Sequence, residues 1–351
     1  MTDATPTPTD RAPTDAIVIT GASGWLGQNL VRAVAGDRDR VRCLVRTSDE
    51  GALLAVVGPA VEPVVGDVRD PAALDRLLEG MAGATVVHAA AIIHPVKRVR
   101  ELHDVNAGGT QLVLDRVRRH GGGRLVHISS NSPFGANAGP DDRFTEESQP
   151  NPYLGYGRSK ADAEDLVRTA GERGDVDAVI LRPPWFYGPY QPERQTRWFR
   201  AVRRNRFPLL GDGSNRRSMI YTGNLVHAVL RAEVVGAAGG RAYWIADGPP
   251  PTMLEVLETV RQALRDEGLD LTDRTPLRAP RLVGEVAARA DAALQGRGRY
   301  QPVLHVLGEL KDTIACDTTR AEQELGYAPG TTLRAGMRAS IRWCLDRGAA
   351  L

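Results

Sequence analysis

Apolar residues in this chain come in short unbroken runs separated by stretches of helical periodicity. Ala16-Ile17-Val18-Ile19 is the first run, and others fall near 41–46, 61–65, 85–89, 124–129 and 177–182. Between the first two, Leu26, Leu30, Val31 and Val34 repeat at helical spacing. This rhythm predicts an α/β fold in which a parallel sheet is covered by helices on both faces through right-handed crossovers. Beyond Gly188 the pattern becomes irregular: prolines, an arginine-rich helix at 194–206, and apolar helical segments near 253–265, 281–294 and 332–346. The expected division is a disordered tail over 1–14, a sheet domain over 15–187, and a smaller, mostly helical lobe over 188–351 with segments returning to the sheet.

Thr20-Gly21-Ala22-Ser23-Gly24-Trp25-Leu26-Gly27 directly follows the first run. A strand, a glycine turn and a helix start in that order aim free backbone amides and a positive helix end at one point, which suits a pyrophosphate. Gly21, Ser23, Gly24, Trp25 and Leu26 form the expected cradle, and Gly27 lets the helix pack closely on the sheet. A dinucleotide then lies at the carboxyl ends of the strands of a Rossmann-type doubly wound sheet. Asp67 and Val68, closing the third strand, border the adenine, and Ala89, Ala90 and Ala91 leave room beside the cofactor. The second strand ends in Arg46, where a cofactor lacking the 2′-phosphate would meet an acidic residue. NADP(H) is therefore expected over NAD(H), with NAD(H) kept open by Asp49 and Glu50 close behind.

Tyr156 and Lys160 are four residues apart, on one face of a helix and about one turn from each other. A phenol titrates near pH 10, and each unit of lowering takes about 1.4 kcal/mol of preference for the phenolate. An adjacent ammonium in a water-poor cleft favours that form, so the pair reads as an acid/base with its electrostatic support. The strand Arg124-Leu125-Val126-His127-Ile128 opens into Ser129-Ser130-Asn131-Ser132 at another carboxyl edge. Ser130 is the hydroxyl expected to orient a substrate oxygen.

Charge narrows the class further. Lysines and arginines number 45 against 43 acids, a balance that excludes a dedicated nucleic-acid or polybasic membrane protein and favours a small-molecule substrate. The first 14 residues have neither a basic start nor an apolar stretch, and no span approaches the roughly 18 apolar residues of a membrane helix. Cys43, Cys316 and Cys344 are widely spaced, as reduced thiols of a cytoplasmic protein would be. No His or Cys spacing matches a metal site, and none is expected.

Taken together with His88 to Ala91, Asn106, Gly109-Thr110, and Leu181-Arg182-Pro183 through Tyr187-Gly188-Pro189, these motifs resemble the extended short-chain dehydrogenase/reductase superfamily over nearly the whole chain. The resemblance implies Tyr156 as acid/base, Lys160 as the residue that holds the nicotinamide ribose and lowers the tyrosine pKa, and Ser130 as the group positioning the reacting oxygen. It also implies Asn106 as a brace of the active site and Pro183 beside the cofactor. Asn131-Ser132 stands where sugar 4,6-dehydratases carry an Asp-Glu pair, and Pro183-Pro184 where epimerases carry an asparagine. Relatives of 3β-hydroxysteroid dehydrogenases are the more similar branch. The expected substrate contacts are Ser132 and the aromatic surface of Trp185 and Tyr187, with Arg217 in the position of a phosphate-binding arginine of nucleotide-sugar enzymes. Arg194, Arg197, Arg200 and Arg204 recur every three or four residues and read as a solvated helical stripe. The expected activity is NADP-dependent interconversion of a secondary alcohol and a ketone on a mid-sized, largely apolar substrate. The alternative is a nucleotide-sugar 4-epimerase with tightly bound NAD. By resemblance the chain also forms a homodimer, and the polar interruptions of the 281–294 helix argue against stable membrane insertion.

Overall fold

The computed structural model describes residues 10–95, 98–272 and 277–351. Its main sheet is parallel throughout. It contains β1 (Ala16–Thr20), β2 (Arg40–Val45), β3 (Val61–Val65), β4 (Thr85–His88), β5 (Leu125–Ile128), β6 (Ala178–Arg182) and, from much later in the chain, β10 (Ala242–Trp244). Their order across the sheet is β3-β2-β1-β4-β5-β6-β10. Order reverses between β1 and β4, which opens a crevice at the carboxyl ends of the strands.

Five helices connect the first six strands: α1 (Trp25–Val34), α2 (Ser48–Ala55), α3 (Pro71–Leu78), α4 (Arg100–Arg119) and α5 (Leu154–Glu172). One face of the sheet is covered by Leu26, Leu30 and Val34 of α1, Leu54 of α2, and Leu225, Val229 and Ala232 of α7 (Thr222–Val234). The other face packs against Leu74 and Leu77 of α3, Val113 and Val117 of α4, and Val167 of α5. Burial on both faces explains why the central strands read as continuous apolar runs, whereas the edge strand β3 is mostly half-buried. Helix starts are set locally. Asp70 caps α3 by accepting from Ala72 N at 2.9 Å, with Pro71 in its first turn, whereas no side chain caps α1.

The second half forms a lobe around its own core. Trp198, Phe199 and Val202 of α6 (Glu193–Arg203) meet Val256 and Val260 of α8 (Met253–Asp266) and Met337 and Ile341 of α11 (Leu333–Asp346). β7 (Trp185–Tyr187) pairs with β9 (Met219–Tyr221), and β8 (Leu209–Leu210) with β11 (Arg278–Ala279). α9 (Arg281–Gln295) and α10 (Pro302–Leu310) pack together beside α5. None of the helices among the described residues is long and apolar enough to cross a membrane.

Of the segment expected to be a disordered tail, residues 1–9 lie outside the described residues. Residues 10–14 are placed against the edge of the main domain. Asp10 bridges to Val235, Arg11 Nη1 meets Asp177 Oδ2 at 2.6 Å, and Thr14 Oγ1 donates to Glu233 Oε1 at 3.0 Å. These polar side chains find partners across the fold.

Candidate active site

The turn after β1 is shaped for a ligand that approaches the backbone closely. Gly21 has φ +70°, and a Cβ there would lie 2.7 Å from Ala90 N, so no larger residue fits. At Gly27 a Cβ would meet Gly21 O at 2.2 Å, which is the close helix-to-turn packing expected of it. The uncapped start of α1 presents its first-turn amides to the crevice, the feature that binds an anion there.

Two adjoining halves of one cleft meet at Gly21, Ser23, Gly24, Ala89 and Ala91. The first, about 460 Å³, is bordered by Leu44, Arg46, Glu50, Asp67, Val68 and Ala90. The second, about 490 Å³, runs past Trp25, Leu26 and Gly27 to Tyr156 and Lys160. This shape and lining fit a dinucleotide with adenosine in the first half and nicotinamide in the second. Arg46, on the rim, pairs with Glu50 at 3.2 Å, while Glu50 accepts from Ser23 Oγ at 2.8 Å. Arg69, absent from the sequence reading, also borders the adenosine half and holds Asp67 at 2.7 Å.

Tyr156 and Lys160 sit on the first turns of α5, both buried. Lys160 Nζ donates to the Ile128 carbonyl at 2.7 Å. Burial lowers its pKa from 10.5 to about 8, opposed by the Glu164 carboxylate. Burial likewise pushes the Tyr156 phenol up to about 12, while the Ser130 hydroxyl acts in the opposite direction. Ser129 is committed elsewhere, its Oγ donating to Glu164 Oε2 at 2.7 Å. Ser130 is thus the serine beside the phenol, and it lies 3.3 Å from the Ser132 hydroxyl. Glu164 is itself clamped by Arg182, whose Nε donates to Oε1 at 2.9 Å.

Several expected contacts are placed differently. Asn106 does not line the cleft: it is buried and bonds Ile92 and Ser159, because its amide completes the backbone of the loop after β4. Pro183 is buried between β6 and β7 and does not border the cleft either. Trp185 and Tyr187 face the lobe core. Trp185 packs on Trp198 with ring centroids 4.9 Å apart, and the fully buried Tyr187 donates its hydroxyl to Asp247. Alternation along β7 turns Phe186 the opposite way, into the cleft and against Trp25. Arg217 is buried, joined to Ile314 by a bridge, and gives Nη2 to the Glu309 carbonyl at 3.1 Å. Ser132 donates from its backbone N to Ser130 Oγ at 3.2 Å, and of the three serines after β5 it is Ser129, not Ser130 or Ser132, that lines the cleft wall. The cleft instead recruits Ile92, Ile93, His94, Tyr190 and Arg194. Only Arg194 had a visible signal, as the first member of the arginine stripe.

The model of the NAD dependent epimerase/dehydratase family matches residues 17–246. A protein of Sinorhizobium fredii described as uncharacterized protein y4nL is 41% identical over 95% of this chain and 96% of its own length. The 2-alkyl-3-oxoalkanoate reductase of Stenotrophomonas maltophilia is 30% identical over 92% of this chain and 97% of its own. Among solved structures, the dTDP-glucose 4,6-dehydratase DesIV of Streptomyces venezuelae, with NAD and TYD bound, superposes with a TM-score of 0.73 at 24% identity. It covers 95% of this chain and 98% of the other, a likeness of fold. The chain belongs to the NAD dependent epimerase/dehydratase family and is an NAD(P)-dependent enzyme of the extended short-chain dehydrogenase/reductase type.

Proposed function

We propose that this enzyme interconverts a secondary alcohol and a ketone on a mid-sized, largely apolar substrate, with NADP(H) as hydride carrier. In this reading it belongs beside the 3β-hydroxysteroid dehydrogenase-like branch. The observation that carries the proposal is the single cleft in which the glycine turn of β1 faces Tyr156 and Lys160. When bound, the nicotinamide donates or accepts the hydride. Tyr156 gives the proton to the substrate oxygen in reduction and removes it in oxidation. Ser130 orients that oxygen, and Lys160 holds the nicotinamide ribose and supports the phenolate. Ile92, Ile93 and Phe186 supply an apolar wall on the substrate side.

The preference for NADP(H) rests on Arg46 at the rim, which is three-quarters exposed and would exchange its pair with Glu50 for a 2′-phosphate. Glu50 favours the second reading, NAD(H), since its carboxylate already borders the adenosine half. The 4-epimerase alternative has less support: Arg217, the residue it needs for a diphosphate, is turned to the Glu309 carbonyl. The proposal also includes a homodimer through α4 and α5, and a reducing, cytoplasmic setting in keeping with three buried free cysteines. Native mass spectrometry of the purified protein, followed by titration with NADPH and NADH, tests the cofactor assignment. An empty site with tighter NADPH binding is expected. Copurified NAD that resists exchange contradicts it.

A further inference from the structure

The nicotinamide half of the cleft contains a cation that the protein leaves without a counter-ion. Arg194, in the first turn of α6, borders this half together with Tyr156 and Lys160. Among the described residues its guanidinium donates no hydrogen bond and joins no ion pair. Of the other arginines of this helix, Arg200 bonds the Ala350 carbonyl at 2.8 Å and Arg203 the Asp270 carbonyl at 2.8 Å, while the exposed Arg197 does not border the cleft. Helical period groups Arg194 with the solvated stripe, but only this first turn reaches the cleft.

Arg194 lines the cleft while keeping an exposed surface, and among the described residues no carboxylate is bonded to it. Crowding by neighbouring protein atoms works against its charge although part of the residue stays exposed, and the Tyr156 and Tyr300 phenols act in the opposite direction. Tyr300 and His94 close that side through a 2.6 Å hydrogen bond. Burial, then Arg194 and His305, hold His94 neutral, its pKa lowered to about 4. A guanidinium with open donors on the wall of a cleft pairs with an anion that accepts two of its N–H groups side by side.

We propose that Arg194 anchors an anionic oxygen group, a carboxylate or a phosphate, carried by the substrate near the carbon that Tyr156 serves. The substrate class is then an oxo or hydroxy compound with an anionic head at Arg194 and an apolar body along Ile92, Ile93 and Phe186. This deepens the alcohol–ketone reading and rests on it for the chemistry, but the anchor itself is testable without turnover.

The test is calorimetric titration of the NADP-loaded enzyme with decanoate, decyl phosphate and decan-1-ol. The wild type, Arg194→Gln and Arg194→Lys are compared, with NADP affinity measured for each. The wild type is expected to bind at least one anion about ten- to a hundredfold more tightly than the alcohol, the size of a charge-assisted hydrogen bond. Arg194→Gln should abolish that preference and Arg194→Lys keep part of it, both with NADP affinity within about twofold of wild type. The stronger of the two anions identifies the head group. No anion preference in the wild type, an undiminished preference in Arg194→Gln, or a parallel loss of NADP binding would overturn the proposal. The last result would assign the guanidinium to the cofactor. Binding through Arg194 without any ketone-dependent loss of NADPH would refute the reductase reading and leave the anchor standing.

Discussion

Asn106 on α4 donates from Nδ2 to the Ser159 hydroxyl on α5 at 2.9 Å, one position before Lys160. The same side-chain amide accepts from Ile92 N at 2.9 Å and donates to Ile92 O at 3.0 Å. One buried residue therefore fixes both the loop that walls the cleft after β4 and the helix that carries Tyr156. Asn106→Ala leaves buried backbone and hydroxyl groups unpaired, at roughly 1–3 kcal/mol for each group that finds no water. Urea unfolding should show a loss of at least about 2 kcal/mol, accompanied by reduced turnover. Unchanged stability would mean that the loop is held by other contacts.

Tyr156→Phe keeps the ring and removes the proton donor. NADPH affinity should stay within about twofold while turnover falls by at least about a hundredfold, a typical acid/base contribution. Stopped-flow hydride transfer at saturating cofactor reads this directly, and wild-type rates would remove Tyr156 from the mechanism.

Lys160 carries its charge into a buried position, and burial lowers its pKa from 10.5 to about 8. The folded chain thus holds this proton less tightly than the unfolded chain. The resulting destabilisation is full below about pH 8 and fades as pH rises toward 10.5. Lys160→Met should accordingly make the ligand-free protein more stable at pH 7 by about 2–3 kcal/mol, with the gain vanishing near pH 10.5, while turnover drops. Unfolding measured at both pH values checks the sign; a variant less stable than wild type at pH 7 is the contrary result.

Alternation along β7 separates two aromatic neighbours by role. Phe186→Ala opens the cleft beside Trp25 and should weaken ligand binding with little loss of stability. Tyr187→Phe removes a buried hydrogen bond to Asp247 and should cost about 1–2 kcal/mol with KM unchanged. Kinetics paired with urea unfolding decides, and the reverse pattern would place the wrong face toward substrate.

The sheet domain was largely legible because its central strands are buried on both faces, so Ala16–Thr20 and Ala178–Arg182 stand out as apolar runs. β10 was not, since three residues, Ala242-Tyr243-Trp244, carry no period, and their place beside β6 is a long-range pairing. The glycine turn, Tyr156 and Lys160 were legible as motifs whose spacing carries geometry. Trp185 and Tyr187 were misplaced because composition reveals aromatic residues without revealing which side of a three-residue strand meets the cleft. Arg217 was misplaced because its burial comes from the distant bridge to Ile314. Arg194 was hidden for the converse reason: the helical stripe is visible in sequence, but the point where the cleft wall meets it is not.

The central claim is that Tyr156 and the glycine turn serve net hydride transfer. Incubating the enzyme with NADPH and a panel of aliphatic ketones and oxo acids, and quantifying NADPH consumed against alcohol formed, tests it most directly. Equimolar consumption and product, lost in Tyr156→Phe, is the predicted result. A tightly held NAD that is never consumed while a nucleotide sugar changes configuration would contradict the account.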